Sequence, residues 1–124
     1  MIFVDASVPR TVADAIKRVR SDARWKLDLF PHDTKDVVWL EAAGKQGWLV
    51  LTRDKHIRTR PGERRAIEEH GVGCFILGYK QDLKKEEVTE IVLRALKHME
   101  ELFGRIERPF IYTITKNGDF NRRR

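Results

Sequence analysis

The sequence predicts an α/β fold, a three-layer sandwich in which a mainly parallel central sheet is covered by helices on both faces. Three observations predict it. Short apolar runs of β-formers, such as Ile2-Phe3-Val4 and Trp48-Leu49-Val50-Leu51, are continuous rather than alternating, as strands buried on both faces are. Segments with apolar residues at helical spacing stand between those runs. The two kinds of segment alternate along the chain, punctuated by Gly, Pro and an Asn-Gly pair.

Ile2 to Val4 reads as the first strand. Ser7 can cap the helix that follows, and Pro9 is tolerated in its first turn. Val8, Val12, Ala15, Ile16 and Val19 recur at helical spacing. From Trp25 to Phe30, Trp25, Leu27 and Leu29 alternate with Lys26 and Asp28, which reads as a second strand ended by Pro31. Asp33 or Thr34 can cap a second helix over Val37 to Ala43, which Gly44 and Gly47 break. Trp48 to Leu51 is the third strand. Pro61-Gly62 is a turn before a helix over Glu63 to His70, and Gly71 stops it.

Val72 to Leu77 reads as the fourth strand. Asp82 or Leu83 begins a long helix to about Leu102, with Val88, Ile91, Val92, Ala95, Leu96 and Met99 on one face and Gly104 ending it. Pro109 to Thr115 is the fifth strand. Residues 1–115 then make one domain, and residues 116–124 make a basic tail with the Asn117-Gly118 turn and Arg122-Arg123-Arg124. Crossovers in such a sheet are expected to be right-handed.

Composition narrows the function. A chain of 124 residues can bury a single core without staples. No apolar run approaches the roughly 18 residues that a membrane span needs, and the immediate N-terminal strand argues against a signal peptide. Cys74 is the single cysteine, which excludes an internal disulfide and a cysteine-based zinc site. It lies in an apolar run, where an inert buried thiol is expected. These features point to the cytoplasm and to no membrane partner. The net charge of +6 points to polyanionic partners, because the basic excess is clustered.

Asp5, Asp36 and Asp54 are the candidates for chemistry. Asp5 and Asp54 follow buried runs, and Asp36 opens a helix just after the second run. In a parallel sheet all three reach the carboxyl edge, where α/β folds place their sites. Mutually repelling carboxylates rarely gather unless a cation or proton offsets them. Oxygen-only ligands suit Mg²⁺ or Mn²⁺. Ser7 and Thr52 offer supporting hydroxyls nearby. A carboxylate-held ion of this kind hydrolyses phosphodiesters without a protein nucleophile. Arg53, Lys55, Arg58, Arg60, Arg64 and Arg65 follow at once as candidate phosphate-backbone contacts, with Arg10 as a further one. His32, His56, His70 and His98 share no metal-ligand spacing, and Trp25, Trp39 and Trp48 are spaced as core residues.

The runs Ile2-Phe3-Val4-Asp5, Asp36-Val37-Val38-Trp39-Leu40-Glu41-Ala42-Ala43 and Trp48-Leu49-Val50-Leu51-Thr52-Arg53-Asp54 resemble a short PIN-like domain of the group containing VapC-type toxins. Pro109-Phe110-Ile111-Tyr112 resembles that group's last strand. The resemblance implies a Rossmann-like sheet and a divalent-metal-dependent endoribonuclease. It also implies an RNA substrate and an antitoxin protein as partner in a type II toxin–antitoxin pair, and it leaves a homodimer open. By motif position, Asp5, Asp36 and Asp54 match the family's acidic residues. Longer PIN domains carry a further acidic residue on a helical hairpin for which this chain has no room, and Asp33 is the candidate substitute. The alternatives are a noncatalytic nucleic-acid-binding module of the same fold and, more remotely, a receiver-like domain with Lys116 after the fifth strand.

Overall fold

The computed structural model describes residues 1–78 and 83–124. The elements begin β1 (Ile2–Val4), α1 (Arg10–Val19), β2 (Arg24–Trp25), α2 (Lys26–Leu29), α3 (Asp36–Gln46) and β3 (Leu49–Thr52). After a 3-10 turn (Lys55–Arg58) come α4 (Pro61–His70), β4 (Gly73–Leu77), α5 (Lys85–Arg105), β5 (Phe110–Ile114) and β6 (Phe120–Arg123). The strands form one sheet in the order β2-β1-β3-β4-β5-β6. The first five are parallel, and β6 runs antiparallel to β5.

Strand periodicity divides the core into two layers. Ile2, Val4, Leu49, Leu51, Phe75, Leu77, Phe110 and Ile114 pack with Val12 and Ile16 of α1 and with Val88, Val92, Leu96 and Met99 of α5. Phe3, Val50, Cys74, Ile76 and Ile111 alternate with them and pack with Trp39, Leu40 and Ala43 of α3 and with Ala66 and Ile67 of α4. Covering both faces is what makes the strand runs continuous in apolar character. Each buried Leu, Ile or Phe contributes about 1.5–3 kcal/mol relative to exposure. The three-layer α/β architecture with a mainly parallel sheet is therefore the observed one. Among the described residues no helix is long and apolar enough to cross a membrane.

Sheet order marks where a site is expected. β1 has β2 on one side and β3 on the other, so the chain reverses direction between them. The crevice at that switch point, beyond the strands' carboxyl ends, is where such sheets take ligands. The connection from β4 to β5 departs from the expected handedness. It advances in the same direction as the β3–β4 connection, yet α5 lies on the α1 face and α4 on the other. Its hand is thus opposite to the rest. With α3 and α4 on one face, α5 covers the apolar half of the other face that α1 leaves open.

Other expectations are corrected. The second strand ends at Trp25, and Lys26–Leu29 is a single helical turn. The alternation misleads because Leu29 is 42% exposed while Lys26 is 7% exposed. Ser7 does not cap α1, since Pro9 holds that position with no side-chain cap. Val19 is exposed rather than on the core face. Neither Asp33 nor Thr34 caps α3; Lys35 precedes it, and Asp36 stands in the first turn. Pro61 is the first residue of α4, a position where its missing N–H costs nothing.

Gly44 lies inside α3 rather than ending it. A Cβ there would stand 2.2 Å from the His70 carbonyl oxygen, so this glycine permits the close approach of α3 and α4. Gly47 is the true stop, with φ +69°. Helix α5 starts at Lys85 and continues through Gly104 to Arg105. Leu83 precedes it, and Asp82 lies outside the described residues. The basic segment at the C-terminus carries a strand, with Arg122 opposite Tyr112 and Arg123 opposite Ile111.

Candidate active site

Asp5 is the first residue beyond β1. Its N–H still donates to the Leu51 carbonyl at 2.9 Å, so the sheet ladder fixes its backbone. Its carboxylate is 6% exposed. Oδ2 accepts from Ser7 Oγ and Thr52 Oγ1, each at 2.8 Å, and Oδ1 accepts from the Ala6 N–H at 2.8 Å. A buried carboxylate needs such donors to remain tolerable. Thr52 ends β3 and is fully buried. Its hydroxyl also accepts from the Asp54 N–H at 3.0 Å, and Ser7 Oγ accepts from the Arg53 N–H at 2.9 Å. The two hydroxyls thus join the end of β1 to the chain leaving β3.

Asp54 opens the 3-10 turn, where its Oδ1 accepts from the His56 N–H at 3.0 Å. Its Oδ2 accepts a hydrogen bond from Arg60 Nη2. The same nitrogen lies 3.8 Å from Asp36 Oδ2, and Arg60 Nε lies 3.0 Å from Glu63 Oε1. Asp36 is held on its other oxygen. Trp39 Nε1 donates to Oδ1 at 2.9 Å, and Lys26 Nζ lies 4.0 Å from that oxygen. Asp5 is therefore linked to Asp54 through Thr52, and Asp54 to Asp36 through Arg60. Burial lowers the Arg60 pKa, but the hydrogen bond and charge of Asp54, then Glu63 and Asp36, outweigh it and leave the guanidinium above its ordinary value. Burial pushes the Cys74 thiol up, and the charges of Asp5 and Asp54 add to that, so it is protonated and inert.

Against this geometry, residues 1–79 match the family model described as PIN like domain. The chain belongs to the PIN-like domain family. It is 27% identical over 118 residues to "Putative ribonuclease VapC45" of Mycobacterium tuberculosis, an alignment covering 91% of this chain and 84% of that relative. No solved structure is significantly similar.

In this PIN-like domain the donor set is all oxygen, and Asp36 and Asp54 already share one cationic group. That chemistry fits a hard divalent ion. Among the described residues, however, no three His, Cys, Asp or Glu side chains stand in a ready-made metal-holding group. Arg60 bridges Asp54 and Asp36, and Asp5 is bonded to the Ser7 and Thr52 hydroxyls. Asp33 is exposed and bonds to none of these groups among the described residues.

The basic side chains of the PIN-like domain divide by partner. Arg10 pairs with Asp28 at 3.1 Å and lies over the Trp25 ring. Arg64 donates to Glu68 Oε1 and to the carbonyls of Arg58 and Arg124. Arg65 lies 4.0 Å from Glu69. Lys55 and Arg58 stand on the 3-10 turn with no ion pair among the described residues, and Arg53 sits between Thr52 and Asp54. Arg60 is engaged with the carboxylates of Asp54, Asp36 and Glu63. Sequence reasoning missed Lys26, Trp39 and Glu63 as neighbours of the site. Glu63 and Trp39 left a signal, their i,i+3 spacing from Arg60 and Asp36; Lys26 left none.

Proposed function

We propose that this PIN-like chain is a divalent-metal-dependent endoribonuclease and the toxin of a type II toxin–antitoxin pair in the cytoplasm. The observation that carries the reading is the linkage of three acidic residues at the switch point of the sheet: the Asp5 carboxylate to the Asp54 backbone through Thr52, and the Asp54 and Asp36 carboxylates to each other through Arg60. The name of the mycobacterial relative, "Putative ribonuclease VapC45", supports RNA as the substrate. An antitoxin protein is the partner that goes with this reading.

Asp36 and Asp54 would hold Mg²⁺ or Mn²⁺, with Asp5 completing the negative field. When bound, such an ion supplies an activated water and neutralises charge on the scissile phosphate. The chain's own residues do the rest. Thr52 and Ser7 keep the buried Asp5 carboxylate oriented through their hydroxyl hydrogen bonds. Trp39 and Lys26 fix one oxygen of Asp36, leaving the other turned toward Asp54. Arg53, Lys55 and Arg58 lie next to Asp54 in sequence and would contact phosphates, with Arg64, Arg65 and Arg10 extending that surface.

The test is hydrolysis of a labelled structured RNA by the purified chain. Cleavage with Mg²⁺ or Mn²⁺ that chelation stops supports the reading. A chain that binds RNA but cleaves none under those conditions favours the noncatalytic module, for which the neutralisation of Asp54 by Arg60 is the specific supporting observation.

A further inference from the structure

We propose that Arg60 is the resident counter-cation of the carboxylate edge, that a divalent ion displaces it from Asp54 and Asp36, and that the displaced guanidinium, kept nearby by Glu63, contacts the substrate phosphate. This rests on the metal-dependent reading above and adds a residue that changes partner as the site is loaded.

The starting point of the side chain is fixed. Arg60 immediately precedes Pro61, and its backbone is extended, with φ −67° and ψ 125°, as the residue before proline prefers. From there the guanidinium spans three carboxylates. Nη2 bonds Asp54 Oδ2 and lies 3.8 Å from Asp36 Oδ2, while Nε faces Glu63 Oε1 at 3.0 Å. Among the described residues it is the one cation paired with both Asp36 and Asp54.

That position and an ion compete. A Mg²⁺ ligand oxygen stands about 2.1 Å from the metal. An ion at that distance from Asp54 Oδ2 would lie beside the guanidinium, two positive groups contending for the same carboxylates. Arg60 can yield, because its side chain is 43% exposed. Lys26 differs. It is buried beside Asp36 and remains a fixed charge partner.

Glu63 keeps the displaced group close. It lies in the first turn of α4, three residues beyond Arg60, and its contact is to Nε rather than to Nη2, the nitrogen that Asp54 uses. Release from Asp54 therefore frees the Nη nitrogens without losing the tether. A guanidinium fork beside a metal-held phosphate makes paired charge-assisted hydrogen bonds that a lysine cannot reproduce.

The experiment measures Mn²⁺ affinity from the free-ion paramagnetic signal for the full-length wild type, Arg60→Gln, Arg60→Lys and Asp54→Asn. RNA affinity at saturating Mn²⁺ is read in parallel by rapid-mixing anisotropy before cleavage. The expected result has opposite signs. Arg60→Gln binds Mn²⁺ about fivefold tighter, the effect of removing a partly exposed charge pair, yet binds RNA more weakly. Arg60→Lys retains Mn²⁺ affinity closer to the wild type and also loses RNA affinity. Parallel loss of both affinities in Arg60→Gln would mark a purely structural residue and overturn the proposal. So would unchanged Mn²⁺ affinity, or unchanged RNA affinity, in a variant whose wild type binds Mn²⁺. If neither the wild type nor Arg60→Gln binds Mn²⁺, the metal-dependent reading itself falls and the proposal with it.

Discussion

Trp39 donates its indole N–H to Asp36 Oδ1 at 2.9 Å, one helical turn away, while its ring is fully buried against Phe3 at 4.9 Å between centroids. Phe3 lies in β1, two residues before Asp5. One side chain thus connects the packed core to the carboxylate edge, and the position of Asp36 is set by packing rather than by its own helix alone.

Trp39→Phe should separate these roles. The ring is mostly retained, but the donor to Asp36 is lost and a small void is left. A destabilisation of about 1–3 kcal/mol is expected from the lost hydrogen bond and packing. Denaturant midpoints measure it. Under the proposed function, Mn²⁺ affinity should also fall as Asp36 loses its anchor.

Thr52→Val keeps the shape of a fully buried side chain and removes the hydroxyl shared by Asp5 and Asp54. The Asp54 N–H and Asp5 Oδ2 each lose a partner. The expected cost is about 2–4 kcal/mol, read as a lower urea midpoint with an unchanged slope. Thr52→Ser, which restores the hydroxyl, should recover most of that loss.

Two helical glycines should respond oppositely to alanine. Gly44→Ala places a Cβ 2.2 Å from the His70 carbonyl oxygen, which forces α3 and α4 apart. A loss of about 1–3 kcal/mol is expected, larger than the gain of about 1 kcal/mol in helix propensity. Gly104→Ala meets nothing within 4 Å inside α5 and should stabilise by about 0.5–1 kcal/mol. Thermal melts of the two variants decide it.

Arg64 and Arg65 test the proposed phosphate surface. Their carboxylate partners, Glu68 and Glu69, lie one turn along α4 and away from the site. Replacing both by alanine should weaken RNA binding at low salt and shallow the log–log salt dependence by roughly 0.7 per lost contact. Mn²⁺ affinity should be unchanged. An unaltered slope would place the RNA path elsewhere.

The central strands were legible because both their faces are buried, so apolar runs such as Leu49–Leu51 needed no alternation to be recognised. Asp5 and Asp54 stand just beyond the runs of β1 and β3, where the sequence pattern looks for a site, whereas Asp36 opens α3, well beyond the end of β2. What escaped depends on tertiary partners. Lys26 is buried beside Asp36, which a charged residue in an alternating pattern does not announce. β6 pairs with β5 through backbone hydrogen bonds and exposes most of its side chains, so its arginines read as a tail; charge on an edge strand is also what keeps it from pairing further. Ser7 has the residue type of a helix cap, but its hydroxyl bonds Asp5 instead. Gly44 resembled a helix breaker because a close approach of α4 cannot be seen from α3 alone.

The most direct test of the proposed catalytic role of the carboxylate edge is RNA cleavage by the wild type and Asp54→Asn, side by side in Mn²⁺, with both shown to be folded by thermal denaturation. Asp54→Asn keeps the side chain's size and removes its charge. Cleavage by the wild type that falls by at least about 100-fold in a folded Asp54→Asn protein is the predicted result, the loss expected when a principal charge-stabilising group is removed. Equal cleavage by the two folded proteins would contradict it and move the chemistry away from the edge where Asp5, Asp36 and Asp54 are linked.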